Sequence, residues 1–287
     1  MESFMTSKTI SPTLSGCLAL LLWSTSATLV TQLKLPTFEA LSLVSSFILV
    51  ATLIKLSIEK KWTHILKQLK TPRIRLGYGA LSLNNIAYYL AFYYAPPIEV
   101  DLITWLWPAS SIVILCYIGQ AGYHLSRMIS IGLCLTSLWF ILPIEAHWGH
   151  AWLGYGFAFI ALFSWCYYTY ITQQYPTASP ELAPLCIGLS CPITWGLHRC
   201  FEQFISPSHL QYAILITLAL GSAGIAFLLW DYGIKKGQAI RLCYLAYLTP
   251  ALSVLWLVLT HQEPFSWSLG IGCLLILAAN IIDSKNN

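Results

Sequence analysis

Charge is what this sequence has least of. Asp, Glu, Lys and Arg make up 9% of its 287 residues, against about 25% in an ordinary soluble chain. With 57% hydrophobic residues and a mean hydropathy of +0.68, a single soluble core of this length would leave apolar surface facing water. Separate soluble domains, a soluble enzyme and a lone membrane anchor are therefore excluded. The ten-residue apolar–polar alternation of a transmembrane β-barrel is missing as well, because the hydrophobic stretches are continuous. No CxxC pair occurs among the nine cysteines, which are scattered mostly inside those stretches as small core residues, so neither a zinc ribbon nor a redox motif is expected. The basic residues sit between hydrophobic runs, unlike the basic, aromatic-studded face of a nucleic-acid binder, so no nucleic-acid partner is expected. No small-x-small cleavage site follows the first run, which is expected to stay as a span. No cofactor is implied, and the outer-loop pair His147-x-x-His150 with Glu145 is not taken as a metal site.

What is present is lipid-soluble helix. Apolar runs fall at 14–33, 37–57, 75–95, 98–118, 127–144, 151–172, 181–204, 210–234, 238–260 and 267–283, each about the length that crosses a bilayer. The seventh is the weakest, interrupted by Pro184, Pro192, His198 and Arg199, and nine spans is the competing count. With a cytoplasmic N-terminus, the inner side receives Lys8, Lys55, Lys60, Lys61, Lys67, Lys70, Arg73, Arg75, Arg127, Lys235, Lys236, Arg241 and Lys285. The outer side receives only Lys34 and Arg199. That bias satisfies the positive-inside rule. The expected fold is an all-α polytopic membrane protein of ten transmembrane helices with both termini cytoplasmic.

Sliding the chain over itself by 142 positions aligns two prolines. Ile98, Leu106, Pro108, Ala109, Ser111, Leu115, Gln120, Ser126 and Ile129 meet Ile240, Leu248, Pro250, Ala251, Ser253, Leu257, Gln262, Ser268 and Ile271. The shift pairs the fourth span with the ninth, so residues 1–145 and 146–287 form two five-helix units. Five is odd, so the second unit enters the membrane from the opposite side. Inverted repeats of this kind recur in secondary transporters, which bind their solute near the midplane between the repeats.

A proline inside a helix leaves the carbonyl four residues earlier without its usual partner. Here those carbonyls belong to Thr104 and Ala246, and in lipid they are tolerated where they face protein or a wet cavity. Asp101, Trp105 and Pro108 share one helical stripe, and Cys243, Tyr247 and Pro250 share the corresponding one, next to Tyr244. Trp107 points away from that stripe in an ideal helix. Asn84 and Asn85 are costly facing lipid, so at least one should face the interior, with Tyr88 one turn from Asn84. Trp165 and Tyr168 add rings from the sixth span, and Trp23-Ser24-Thr25-Ser26 stands in the first. Trp62, Trp148, Trp152 and Trp267 read as interfacial belt residues. Asp231 and Lys235, one turn apart, read as a structural ion pair or a snorkelling lysine. Glu99 and Arg241 stand near opposite mouths, and Asp101 is the embedded carboxylate; these three are candidates for coupling or gating.

Leu22-Trp23-Ser24-Thr25, Glu99-Val100 with Leu106-Trp107-Pro108, and Trp230 to Gly237 leading to Tyr247-Leu248-Thr249-Pro250 resemble the drug/metabolite transporter superfamily of EamA type, and within it the bacterial aromatic amino acid exporters. The resemblance covers nearly the whole chain. It implies ten helices in two inverted repeats around a central cavity bordered by Trp105, Trp107, Pro108, Trp165, Tyr88, Ala246 and Tyr247. It departs from the family pattern at the Asn84-Asn85 pair, at Trp105 and Ala246, and at Gln120-Ala121, where a glutamate is usual and Glu263 keeps it in the second repeat.

The expected function is a carrier, not an enzyme: a monomer in the bacterial inner membrane that exports small amphipathic metabolites, foremost aromatic amino acids, by alternating access. A carrier of another metabolite, such as a nucleotide-derived or sulfonium solute, is the alternative. An intramembrane hydrolase lacks its GxSG or paired GxGD motif, and a non-transporting membrane receptor is the remaining class.

Overall fold

A computed structural model describes residues 11–95, 100, 103–104, 106–119, 122–141, 151–260 and 267–284. Among them there is helix and no strand. The helices are α1 (Pro12–Ser24), α2 (Ser26–Leu33), α3 (Thr37–Ile58), α4 (Trp62–Leu69), α5 (Pro72–Tyr94), α6 (Trp107–Tyr117), α7 (Leu125–Ile141), α8 (Trp152–Gln174), α9 (Leu182–Gly188), α10 (Cys191–Phe201), α11 (His209–Thr217), α12 (Ala226–Lys236), α13 (Ala239–Ala246), α14 (Leu248–Leu259) and α15 (Trp267–Ser284). A π-helical stretch, Leu218–Ile225, joins α11 to α12.

Every one of the ten apolar runs carries helix. In order they are α1–α2, α3, α5, α6, α7, α8, α9–α10, α11–α12, α13–α14 and α15, and "first span" to "tenth span" refers to these. Helix α4 lies outside the expected set. It is a two-turn amphipathic helix between the second and third spans that buries Ile65 and leaves Leu66 exposed, the form of an interfacial helix beside Trp62. By length and composition, the described helical stretches long and apolar enough to cross a membrane are Pro12–Val30, Thr37–Ile58 and His209–Lys236. The seventh and ninth spans are broken into shorter helices, and the third and sixth are rich in Tyr, Trp and Asn. Val50, Ile54, Phe163 and Leu274 are each more than half exposed, as a lipid-facing surface requires.

The breaks have local causes. At the end of α1, Ser24 Oγ donates to the Leu21 carbonyl (2.7 Å) and Thr25 Oγ1 to the Leu22 carbonyl (2.8 Å), so side chains compete for the helix's own acceptors. In the seventh span, Pro192 stands in the first turn of α10, where its missing N–H is no loss. In the fourth and ninth spans, the Leu106 N–H reaches Ile103 (3.2 Å) and the Tyr247 N–H reaches Tyr244 (3.2 Å). Both are i→i−3 bonds, and they fall just before Pro108 and Pro250.

Packing between spans is systematic. The third span packs most extensively on the sixth, the fifth on the tenth, the first on the eighth, and the second on the seventh, while the fourth crosses the ninth. Exchanging each span with the one five places away returns the same set of pairs. Two crossings are tight because glycine makes them so. A Cβ on Gly77 would lie 2.5 Å from Ile171, and one on Gly233 would lie 2.7 Å from the Gly16 nitrogen.

Candidate functional site

Four spans converge on one cluster of rings. Trp23 from the first span lies with its ring centroid 5.7 Å from Trp165, 5.2 Å from Phe227 and 5.4 Å from Trp230. Trp107 from the fourth span closes the group at 5.2 Å from Trp165 and 5.6 Å from Trp230. Trp107 reaches the cluster because its helix breaks at Leu106, which corrects its outward direction in an ideal helix. Trp23 is also anchored by its indole: Nε1 donates to the Ser222 carbonyl at 3.0 Å, inside the π-helical stretch. Such stretches recur at functional sites.

Two other indoles of the cluster are not satisfied. Trp165 Nε1, Trp230 Nε1 and the Tyr168 hydroxyl are buried and have no hydrogen-bond partner. Three unpaired buried groups able to donate, set among rings, form a surface that favours a flat solute carrying an acceptor.

Beside the rings lies a charged group. Trp165 contacts Tyr168 (5.7 Å), and Tyr168 meets Tyr78 edge-on (5.4 Å). The Tyr78 hydroxyl donates to Asp231 Oδ1 at 3.3 Å. Lys235 Nζ sits 2.7 Å from Asp231 Oδ2, and donates to the Ala178 carbonyl (2.8 Å) and to Tyr78 Oη (3.3 Å). Both charged side chains are 3% exposed, so Lys235 is internally paired and does not snorkel to water.

Three further carboxylates tie the second span to the seventh. At one end, Glu181 Oε1 takes Lys55 (2.6 Å) and Lys61 (2.8 Å). At the other, Glu202 accepts the Phe38 and Glu39 N–H groups, each at 2.9 Å, and pairs with His198 Nδ1 at 3.0 Å. Glu39 in turn accepts the Ile205 N–H at 2.9 Å.

Comparison with known proteins points the same way as the sequence resemblance. Residues 152–282 match the EamA-like transporter family. The chain is 28% identical over 212 residues to the aromatic amino acid exporter YddG of Ancylobacter novellus, covering 70% of this chain and 71% of that protein. Against YddG of Salmonella typhimurium the values are 26% over 202 residues, 64% of this chain and 66% of that one. Over residues 152–282 the chain is similar to the EamA-like transporters, as the sequence resemblance implied. A solved crystal structure with 25% identity superposes on it with a TM-score of 0.84 over 96% of each chain.

The expected site residues fall in different places. Trp107, Trp165 and Tyr168 meet in the ring cluster, and Pro108 is buried beside it on α6. Others are committed to helix crossings. Tyr247, fully buried, accepts the Ala109 N–H at 2.9 Å, joining the ninth span to the fourth. Tyr244 Oη donates to the Arg127 carbonyl at 3.5 Å, Ala246 is fully buried, and Asn84 Nδ2 donates to the Ala161 carbonyl at 2.9 Å. Tyr88 packs edge-on against Phe92 at 4.6 Å in a separate cluster with Ile103 and Tyr155, Thr104 is half-buried, and the Asn85 amide nitrogen is buried without a partner. Arg241 is exposed and meets Gln238 at 3.5 Å. Trp105, Glu99, Asp101, Glu145, His147 and His150 lie outside the described residues, as does the Pro250 side chain. Sequence reasoning left Trp230, Phe227 and Tyr78 out of the site. One signal for Trp230 was present: it stands 142 positions after Tyr88.

Proposed function

We propose that this protein is a secondary carrier that exports small amphipathic metabolites, aromatic amino acids foremost, by alternating access. It works as a monomer in a bacterial inner membrane with both termini in the cytoplasm, and as a transporter it is not an enzyme. Residues 1–145 and 146–287 are its two inverted repeats. The names of its relatives support the solute class, and the match over residues 152–282 coincides with the second repeat.

One observation carries the reading. Trp23 and Trp165 stand 142 residues apart, the interval that aligns Pro108 with Pro250, and their rings touch at 5.7 Å. Residues exchanged by a twofold axis can touch each other only on that axis. This supports a solute site among the rings of Trp23, Trp107, Trp165 and Trp230, at the interface where inverted-repeat carriers hold their solutes. Tyr168 extends the same site through its contact with Trp165; Trp105, Tyr88, Asn85 and Thr104 remain proposed solute-binding residues, and Glu99, Asp101 and Arg241 proposed coupling or gating residues. A sulfonium solute would also find favourable π faces there, and competition separates the two.

Proteoliposomes holding the purified chain should show saturable flux of labelled Trp, Phe or Tyr that each of the others competes. Trp165→Ala should lower that flux about tenfold, equivalent to roughly 1.4 kcal/mol of lost ring contact. No flux of any aromatic amino acid rejects the solute, and wild-type flux in Trp165→Ala rejects the site.

A further inference from the structure

The Asp231–Lys235 pair does more than close a helix crossing: we propose that it reads the zwitterion of the solute, exchanging its internal bond for the solute's ammonium and carboxylate. This rests on the carrier reading above and deepens it. The pair is buried on both sides, and the three donors of Lys235 are filled by Asp231, Tyr78 and the Ala178 carbonyl. Stability alone gives little reason for such a pair, because burying two ions costs about as much as their attraction returns, and apolar residues of similar size do as well.

Its position supplies the reason. Trp230, which contacts Trp23 and Trp107, precedes Asp231 in the chain, and two ring contacts, Trp165 to Tyr168 and Tyr168 to Tyr78, connect the cluster to the Tyr78–Asp231 hydrogen bond. Between them stand the unpartnered Tyr168 hydroxyl and the Trp165 and Trp230 N–H groups. A solute whose ring lies among the tryptophans has its charged end directed along this line. Its ammonium replaces Lys235 on Asp231 and its carboxylate replaces Asp231 on Lys235, with no net change in buried charge. An amine or an acid alone replaces one partner and leaves the other buried and unpaired, which is the costly case. Discrimination therefore comes from rejecting half-charged analogues.

The test uses the full chain in proteoliposomes and two matched sets of competitors: tryptophan, tryptamine and indole-3-propionate, then leucine, isopentylamine and 4-methylpentanoate. Wild type is expected to prefer the amino acid over both analogues by about tenfold or more, the factor one charge-assisted hydrogen bond carries. The paired variant Asp231→Leu/Lys235→Met, which leaves no lone charge, should lower amino acid flux and bring the competition ratio measured on the remaining flux close to one, and Lys235→Arg should keep that ratio high. Equal competition by amine, acid and amino acid in wild type overturns the proposal, as does full discrimination in the paired variant. Loss of tryptophan transport with zwitterion preference intact in the leucine set sinks the aromatic reading alone.

Discussion

Glu181→Gln and Glu39→Gln should have unlike effects, although the two residues stand 142 positions apart and begin the second helix of each proposed repeat. Glu181 is almost fully buried, and burial alone would raise its carboxyl. Hydrogen bonds from Lys55, Lys61 and Ser179 outweigh that and hold it at about 2, against an ordinary 4.5. A carboxyl depressed in the folded state contributes its full stabilisation above its unfolded value. That contribution disappears as the pH falls from about 4.5 through 2. The lowering from 4.5 to about 2 is worth roughly 3.4 kcal/mol before screening. The lysine side chains are 36% and 41% exposed, so solvent and salt reduce this to about 1–2 kcal/mol. Glu39 has no such support: its Oε2 accepts one N–H, its Oε1 is buried without a partner, and no cation among the described residues contacts it. Glutamine keeps the accepting carbonyl and changes only the side-chain atom that has no partner, so no supporting contact is lost. Glu181→Gln is therefore expected to lower the thermal midpoint in detergent at pH 7, and Glu39→Gln to leave it unchanged or raise it. Cys134, Cys166, Cys186 and Cys243 are buried free thiols, so a thiol-reactive dye reports unfolding. Equal destabilisation by the two variants refutes the reasoning.

Three further outcomes follow from the packing. Gly233→Ala should abolish monodisperse expression, because its Cβ meets the Gly16 backbone at 2.7 and 2.8 Å; Gly16→Ala should be milder, because its Cβ meets only the Leu242 side chain at 2.6 Å. Size-exclusion profiles of the two variants decide this. Lys235→Met alone should destabilise by about 3–5 kcal/mol by leaving Asp231 unpaired, and more than Asp231→Leu/Lys235→Met together; a denaturation midpoint no lower in the single variant contradicts it. Asn84→Leu should cost about 0.5–1.5 kcal/mol by losing its bond to Ala161, with flux per folded molecule unchanged. A selective loss of flux there would return Asn84 to the solute site.

The helical spans were legible because lipid admits few alternatives: continuous apolar runs between flanking charges mark helices, and all ten runs carry one. Pro108 and Pro250 likewise announced breaks that the structure places at Leu106 and Tyr247. Side-chain direction was less legible. Trp107 turns inward only because its helix breaks, and the stripe Cys243–Tyr247 is consumed by a crossing between the fourth and ninth spans. The carboxylates that tie the second span to the seventh gave no sequence signal, because Glu39 pairs with the N–H of Ile205, and any residue other than proline offers that donor. Helix α4 was hidden for a similar reason, its apolar residues being too few to make a run.

The same 142-residue interval that places Trp23 against Trp165 also sets the third span against the eighth, and there the chemistry differs. Tyr88, Tyr89 and Tyr93 stand where the eighth span has Trp230, Asp231 and Lys235. Tyr88 packs on Phe92, and Tyr93 on Phe38 at 5.3 Å and Phe201 at 5.6 Å, so these three tyrosine positions meet rings and, among the described residues, no ion pair of their own. The counterpart end holds a buried ion pair. The packing pairs are thus alike under the exchange while their side chains are not. In the proposed orientation, with both termini cytoplasmic, a solute arriving from inside would meet the Asp231–Lys235 pair before the tryptophans. A carrier whose halves were chemically identical would offer the same surface from both sides. The substitution of Asp231 and Lys235 for two tyrosines is what makes the two approaches unequal, so the zwitterion preference should be lost with that pair and retained when Tyr89 or Tyr93 is changed to phenylalanine.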